Sequence, residues 1–166
     1  MMKKKINLNA DMGESFGSWV MGSDEAMLAI INSANLACGF HAGDPLVMLK
    51  TIQSAKEHGV SIGAHPSYPD LQGFGRRAMQ MSDAELYACV QYQISALAGM
   101  ASANQHEIKH VKPHGALNNA ACIRADIAQT TVRAIADFDS QLILLAPALS
   151  ELYHAGQAAG LQVVAE

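Results

Sequence analysis

Leu36-Ala37-Cys38-Gly39-Phe40-His41-Ala42-Gly43-Asp44-Pro45 is the stretch on which the fold turns. It reads as a short buried strand, then a glycine-flanked histidine, then an aspartate that opens a helix. Asp44 suits the N-cap, because its carboxylate can accept bonds from the orphan N–H groups of the first turn. Pro45 suits the first helical position, where its missing N–H is not needed. Gly39 and Gly43 let the backbone turn sharply on either side of His41. An imidazole is thereby held at the carboxyl end of a strand, beside a helix N-terminus that favours anions. In parallel α/β folds ligands bind, and catalysis occurs, at that end.

Working outward, the pattern recurs. Lys5–Ala10 reads as a first strand that delivers Asn9, Asp11 and Glu14 to a loop. Ala34–Cys38 is the second strand, and Val60–Gly63, running on to His65, is the third. Ile108–Val111 is the fourth and ends in Lys112 and His114, while Gln141–Ala146 and Leu161–Ala165 are the fifth and sixth. Between them lie helical patterns. One opens at Ser23 and carries Ala26, Met27, Ile30 and Ile31 inward. Another spans Pro45–His58 with a stripe of Leu46, Leu49, Ile52 and Gln53. Ser82 and Glu85 form a capping box for a third, and two more run over about Asp126–Asp137 and Ser150–Ala159. This alternation predicts parallel strands joined by right-handed crossovers. A closed eight-stranded barrel takes roughly 250 residues, and this chain has 166. The expectation is a single α/β domain over residues 1–166, a parallel (β/α) barrel truncated after about six strands, since a bare last strand leaves an apolar edge.

Half the residues are apolar and 16% are charged, against roughly 25% charged in an ordinary domain. The outward positions of the helix after Ser82 (Tyr87, Gln91, Gln93 and Ser95) carry no charge, so a partner or a second copy of the chain is expected to cover them. A net charge of −4 and the lack of a basic stripe argue against nucleic-acid binding. No window approaches the roughly 20 apolar residues of a membrane span, and no apolar segment follows Lys3-Lys4-Lys5 as in a signal peptide. Cys38, Cys89 and Cys122 are odd in number and far apart, which suits reduced thiols and a cytoplasmic protein.

Taken singly, the strand-end residues have structural explanations: Asp44 is a cap, and a lone histidine is most often a satisfied core residue. His58, His106 and His154 sit at helix ends or turns and read as solvated. Four successive strands delivering ionisable groups to one end are the argument for an enzyme. His110 and His114 have the four-residue spacing of a helical zinc pair, but Pro113 and the strand pattern keep their rings off a common face. Asp11, His41, His65 and His114 can still converge on a divalent ion. Gly73-Phe74-Gly75-Arg76-Arg77 matches no nucleotide-binding fingerprint. It is either a turn with solvated arginines or a guanidinium clamp for a carboxylate or phosphate.

Leu8-Asn9-Ala10-Asp11-Met12-Gly13-Glu14-Ser15-Phe16-Gly17 resembles the opening signature of the LamB/YcsF family, the family of prokaryotic 5-oxoprolinase A subunits. So do Ser33–Pro45, Ile62–Asp70, Gly73–Arg77 and His110–Leu117, in that order along the chain. The resemblance implies a (β/α) barrel of the deacetylase-like type. It also implies ATP-dependent opening of 5-oxoproline to L-glutamate with two partner subunits. Family members run on past Glu166, and usually carry a tyrosine where this chain has Asn118.

For that reaction Asp11 and His41 would position and deprotonate water, and Lys112 would stabilise negative charge. His65 or His114 would protonate the leaving nitrogen. Arg76 would hold the substrate carboxylate, with Asn9, Glu14, Asp44 and Asn118 as further substrate contacts. The rivals are a metal-dependent amidohydrolase or deacetylase using Asp11 and the three histidines, and a non-catalytic binding subunit.

Overall fold

The computed structural model describes residues 6–166; Lys5, the expected start of the first strand, lies outside them. Among the described residues six strands alternate with six helices: β1 (Asn9–Met12), α1 (Asp24–Leu28), β2 (Ser33–Ala37), α2 (Pro45–Glu57), β3 (Ser61–His65), α3 (Asp83–Ala103), β4 (Ile108–Val111), α4 (Gly115–Ile123), α5 (Ala125–Phe138), β5 (Ile143–Ala146), α6 (Glu151–Ala158) and β6 (Gln162–Ala165). The strands lie side by side in sequence order, and every neighbouring pair is parallel. Right-handed crossovers in an unreversed order put the helices on one side of the sheet. On that side Leu36, Ile62, Val111 and Leu144 are sealed against Ile52, Ile94, Ile135 and Leu152.

The other side is rolled inward. Lys112 follows β4, yet its Nζ lies 3.4 Å from Asp11 Oδ1 of β1 and 3.3 Å from Glu166 Oε1 beyond β6. In a flat sheet β1 and β4 would stand about 14 Å apart, so the sheet is an arc with a concave face. Over β1 to β3 that face is polar, with Asn9 and Asp11, Ser33 and Asn35, and His65 pointing into it, while Ile143 and Leu145 of β5 and Val164 of β6 line its far side.

A bulge between β3 and β4 sets what β4 contributes. Ile62 pairs with Ile108 but Gly63 pairs with His110, so Lys109 is the extra residue. The bulge shifts the alternation by one, and His110 and Lys112 thereby face the concave side.

Several elements differ from the sequence reading, each for a local reason. β1 starts four residues and ends two residues later than expected, because the apolar Ile6 and Leu8 are exposed and the inward residues of this strand are polar. Asn9 and Asp11 therefore sit within the strand and not in a loop. Ser23 makes no capping bond, and α1 buries Leu28 while leaving Met27 exposed, with Ile30 exposed just beyond its end. In α2 the buried stripe is Met48, Thr51, Ile52 and Ala55, and Leu46 is exposed. α4 went unrecognised, since Gly115-Ala116-Leu117-Asn118-Asn119 shows no amphipathic stripe and no side chain caps it.

Gln93 is buried, not outward. Its amide clamps the backbone of Ser67, accepting from the Ser67 N–H at 2.9 Å and donating to the Ser67 carbonyl at 2.8 Å. Tyr87 is covered from within the chain: its hydroxyl donates to Asp137 of α5, and Arg133 stacks over its ring. Gln93→Leu would leave the buried Ser67 N–H unpaired, at about 1–3 kcal/mol, and the Ser67 carbonyl with only the weak Cys89 thiol donor. A loss of about 1–3 kcal/mol in urea unfolding is expected.

Candidate active site

Asp11, Glu14, His41, His65, Lys112 and His114 converge at the carboxyl end of the concave face. β3 supplies His65, whose Nδ1 donates to the Lys112 carbonyl at 2.5 Å. His114 sits at the N-cap of α4, and its Nε2 donates to the Phe74 carbonyl at 2.9 Å. A carbonyl only accepts, so each bonded nitrogen carries a proton, and on neutral rings the two other nitrogens carry lone pairs. Those nitrogens, His65 Nε2 and His114 Nδ1, face each other at 2.9 Å. Asp11 Oδ2 lies 3.4 Å from the first and Glu14 Oε1 lies 3.9 Å from the second. Two facing lone pairs flanked by two carboxylates call for one positive charge between them, a proton or a metal ion.

His41 stacks on His114 with ring centroids 3.8 Å apart and donates from Nε2 to Glu14 Oε1 at 3.1 Å. Its Nδ1 is buried with no partner among the described residues. The three rings are sealed, whereas the Asp11 side chain is 39% exposed, so an incoming ligand meets Asp11 and Lys112 before it meets a histidine.

The charges follow the geometry. Burial holds the His41 pKa down against the pull of Glu14. Burial, with the neighbouring His41 and His65, brings His114 to about 4. Both rings are therefore neutral near pH 7. Burial opposes ionisation of Asp11, but the hydrogen bond and charge of His65, with Lys112 and Asn35, hold it well below the usual carboxylate range.

The donor set fits a divalent cation. Glu14, His41, His65 and His114 each offer a ligand atom, and the four atoms lie within 4.8 Å of one another. His65 and His114 also show the second-nitrogen bond to a carbonyl that orients metal-bound imidazoles. Compared with the set expected from sequence, Glu14 joins the cluster and Asp11 stands beside it.

The remaining expected residues lie further out. Asn9 is adjacent: its Oδ1 accepts from Asn35 at 2.7 Å and from Lys112 at 3.5 Å. Asp44 uses both oxygens on backbone N–H groups, of Leu46, Val47 and Gly17, so it caps α2 and ties down the loop that carries Glu14. Arg76 is exposed beside the Phe74 ring, at 5.8 Å from its centroid. Arg77 is paired with Asp70. Asn118 is on α4 near Cys122.

Sequence reasoning missed the site role of Asn35 and His110, which are buried and run sideways across the sheet from Asp11. The signal was present: an asparagine inside the apolar run Ala34-Asn35-Leu36, and a glycine at position 63 inside a strand.

The LamB/YcsF family model matches residues 6–166. This chain belongs to the LamB/YcsF family. Over 162 residues it is 64% identical to the A subunit of 5-oxoprolinase from Azoarcus sp. (strain BH72), covering 98% of this chain and 63% of that protein. Over 163 residues it is 55% identical to the A subunit of 5-oxoprolinase from Symbiobacterium thermophilum, covering 98% of this chain and 62% of that protein. The crystal structure of a lactam utilization protein from Thermus thermophilus superposes with a TM-score of 0.96 at 45% identity, covering 98% of this chain and 66% of that one. The chain thus spans a little under two thirds of the length of these family members. No helix among its described residues is long and apolar enough to cross a membrane.

Proposed function

We propose that this chain carries the lactam-opening site of a 5-oxoprolinase, acting with two partner subunits to convert 5-oxo-L-proline to L-glutamate at the expense of ATP. The observation that carries the reading is the facing pair His65 Nε2 and His114 Nδ1, held between Asp11 and Glu14. Hydrolysis forms a C–O bond to water, breaks the ring C–N bond and moves one proton from water to nitrogen. A pair of imidazoles that shares one proton position takes the proton from water and passes it to nitrogen without a net change of charge.

Asp11, the exposed acid beside His65, orients the water. Lys112 faces developing negative charge on the carbonyl oxygen or a phosphoryl group attached to it. His41, sealed from solvent, holds His114 by stacking and fixes Glu14. Arg76 reaches over the Phe74 ring to the substrate carboxylate. The rolled sheet and the share of its relatives that this chain spans fit one incomplete (β/α) barrel domain. Its three unpaired cysteines fit the cytoplasm.

The test is release of glutamate and ADP from 5-oxoproline and ATP. The chain is assayed alone, with the two partner subunits, and beside a version of its relatives' full length. Turnover that requires the partner subunits is expected. Absence of turnover in every arm, with all proteins folded, would overturn the reading.

The donor cluster favours a second reading, a metal-assisted amidohydrolase. A divalent ion held by His65, His114 and Glu14, with His41 or Asp11 alongside, would supply Lewis-acid polarisation of the carbonyl. This reading expects about one ion per chain by elemental analysis and loss of activity on chelation. A metal-free complex that still opens the lactam excludes it.

A further inference from the structure

From Asp11 a line of residues runs across four strands. Asp11, Asn35, Gly63 and His110 occupy one register level of β1, β2, β3 and β4. His110 Nε2 lies 2.7 Å from Asn35 Oδ1, although β3 stands between them. The ring passes over β3 only because residue 63 is glycine: a Cβ there would overlap the His110 imidazole. Asn35 Nδ2 donates to Asp11 Oδ1 at 2.9 Å and to Asn9 Oδ1 at 2.7 Å.

The chemistry of this line leaves one arrangement of hydrogens. An ionised Asp11 only accepts, so the amide nitrogen of Asn35 faces it and the amide oxygen faces His110. His110 therefore donates from Nε2. Burial, with the nearby charges of His65 and Lys112, brings His110 to about 4, so it carries a single ring proton at neutral pH. Asn35 is fully buried and His110 nearly so.

We infer that His110 and Asn35 are positioning residues that aim Asp11. By fixing Oδ1 from across the sheet, they leave Oδ2 directed at His65 Nε2, 3.4 Å away. The Lys109 bulge and Gly63 are the backbone features that make the line possible. Asp11 is partly open to solvent, so without Asn35 its Oδ1 would be held by Lys112 alone and its carboxylate would turn toward bulk water.

The test uses two variants. His110→Phe keeps a ring over Gly63 but removes the donor, and His110→Gln restores an N–H of similar reach. In the crystal structure of His110→Phe the Asp11 carboxylate is expected to turn away from His65, and in His110→Gln to keep its Asn35 bond. The kinetic arm rests on the proposed lactam-opening activity and uses the complex with partner subunits. There His110→Phe is expected to lower kcat by about 10²-fold, the cost of a misplacement of about 1 Å, with KM within about twofold. His110→Gln should recover most of that loss.

An unmoved Asp11 in His110→Phe, or a glutamine variant no better than phenylalanine, overturns the inference. If the wild-type complex opens no lactam, the proposed function fails, and the crystal structures alone decide the positioning role.

Discussion

Replacing His65 with alanine is expected to lower kcat for lactam opening by about 10³-fold, within the range for loss of a positioned acid–base group. This side chain makes three contacts at once: the Lys112 carbonyl, His114 Nδ1 and Asp11 Oδ2. Without it the proton position shared with His114 is gone, and Asp11 loses the partner that does most to hold it ionised. His114 keeps its bond to the Phe74 carbonyl and its stack on His41, so the fold around the gap persists. The measurement is glutamate release by the complex under saturating ATP and 5-oxoproline, with a urea titration run beside it. A variant that stays within tenfold of wild type while remaining folded would remove His65 from the chemistry and favour Asp11 with Lys112 alone. A loss of activity that tracks the loss of stability would reduce His65 to a packing residue.

The architecture was legible because β2, β3 and β4 announce themselves twice, by an apolar run and by the polar residue at the carboxyl end, and β5 and β6 by their apolar runs. β1 is the exception. Its inward face carries Asn9 and Asp11, so the only apolar alternation available, Ile6 and Leu8, pointed to the wrong residues. The same conflict hid the positioning line. Asn35 and His110 are polar residues inside strands, and a hydrophobic pattern counts such residues as breaks and not as signal.

The histidines of the site were readable one by one from their place after a strand. Their pairing was not, because it depends on carbonyl partners at Phe74 and Lys112 that are distant in sequence. Glu14 reached the cluster through loop contacts of the same kind: the Gly43 N–H donates to the Ser15 carbonyl, and the Gly17 N–H donates to Asp44. Long-range backbone bonds leave no trace in periodicity. The outward face of α3 was misassigned for a related reason. Its uncharged residues are used within the chain, Gln93 on Ser67 and Tyr87 on Asp137.

Gly75→Ala is the second change expected to have a large effect, and it acts on stability and on the site together. Gly75 has φ of +64°, and a Cβ there would press on Ser67 Oγ, on His41 Cβ at 2.8 Å and on His114 Cδ2 at 2.9 Å. Left-handed backbone costs an L-residue roughly 1–2 kcal/mol, and overpacking a filled interior costs roughly 1–3 more. A loss of about 2–5 kcal/mol is expected, a large fraction of the roughly 5–15 kcal/mol that holds a domain together. Gly59 separates the two causes, since it has φ of +68° and nothing within 4 Å of its would-be Cβ. Gly59→Ala should therefore show the backbone cost alone, about 1–2 kcal/mol, and leave turnover unchanged. Gly75→Ala should show the further packing cost and a loss of turnover, because its methyl group bears on His41 and His114, the two stacked rings. Equal urea midpoints for the two variants would mean that the ceiling over the histidines yields easily. In that case the close stacking of His41 on His114 would not be what holds His114 Nδ1 against His65.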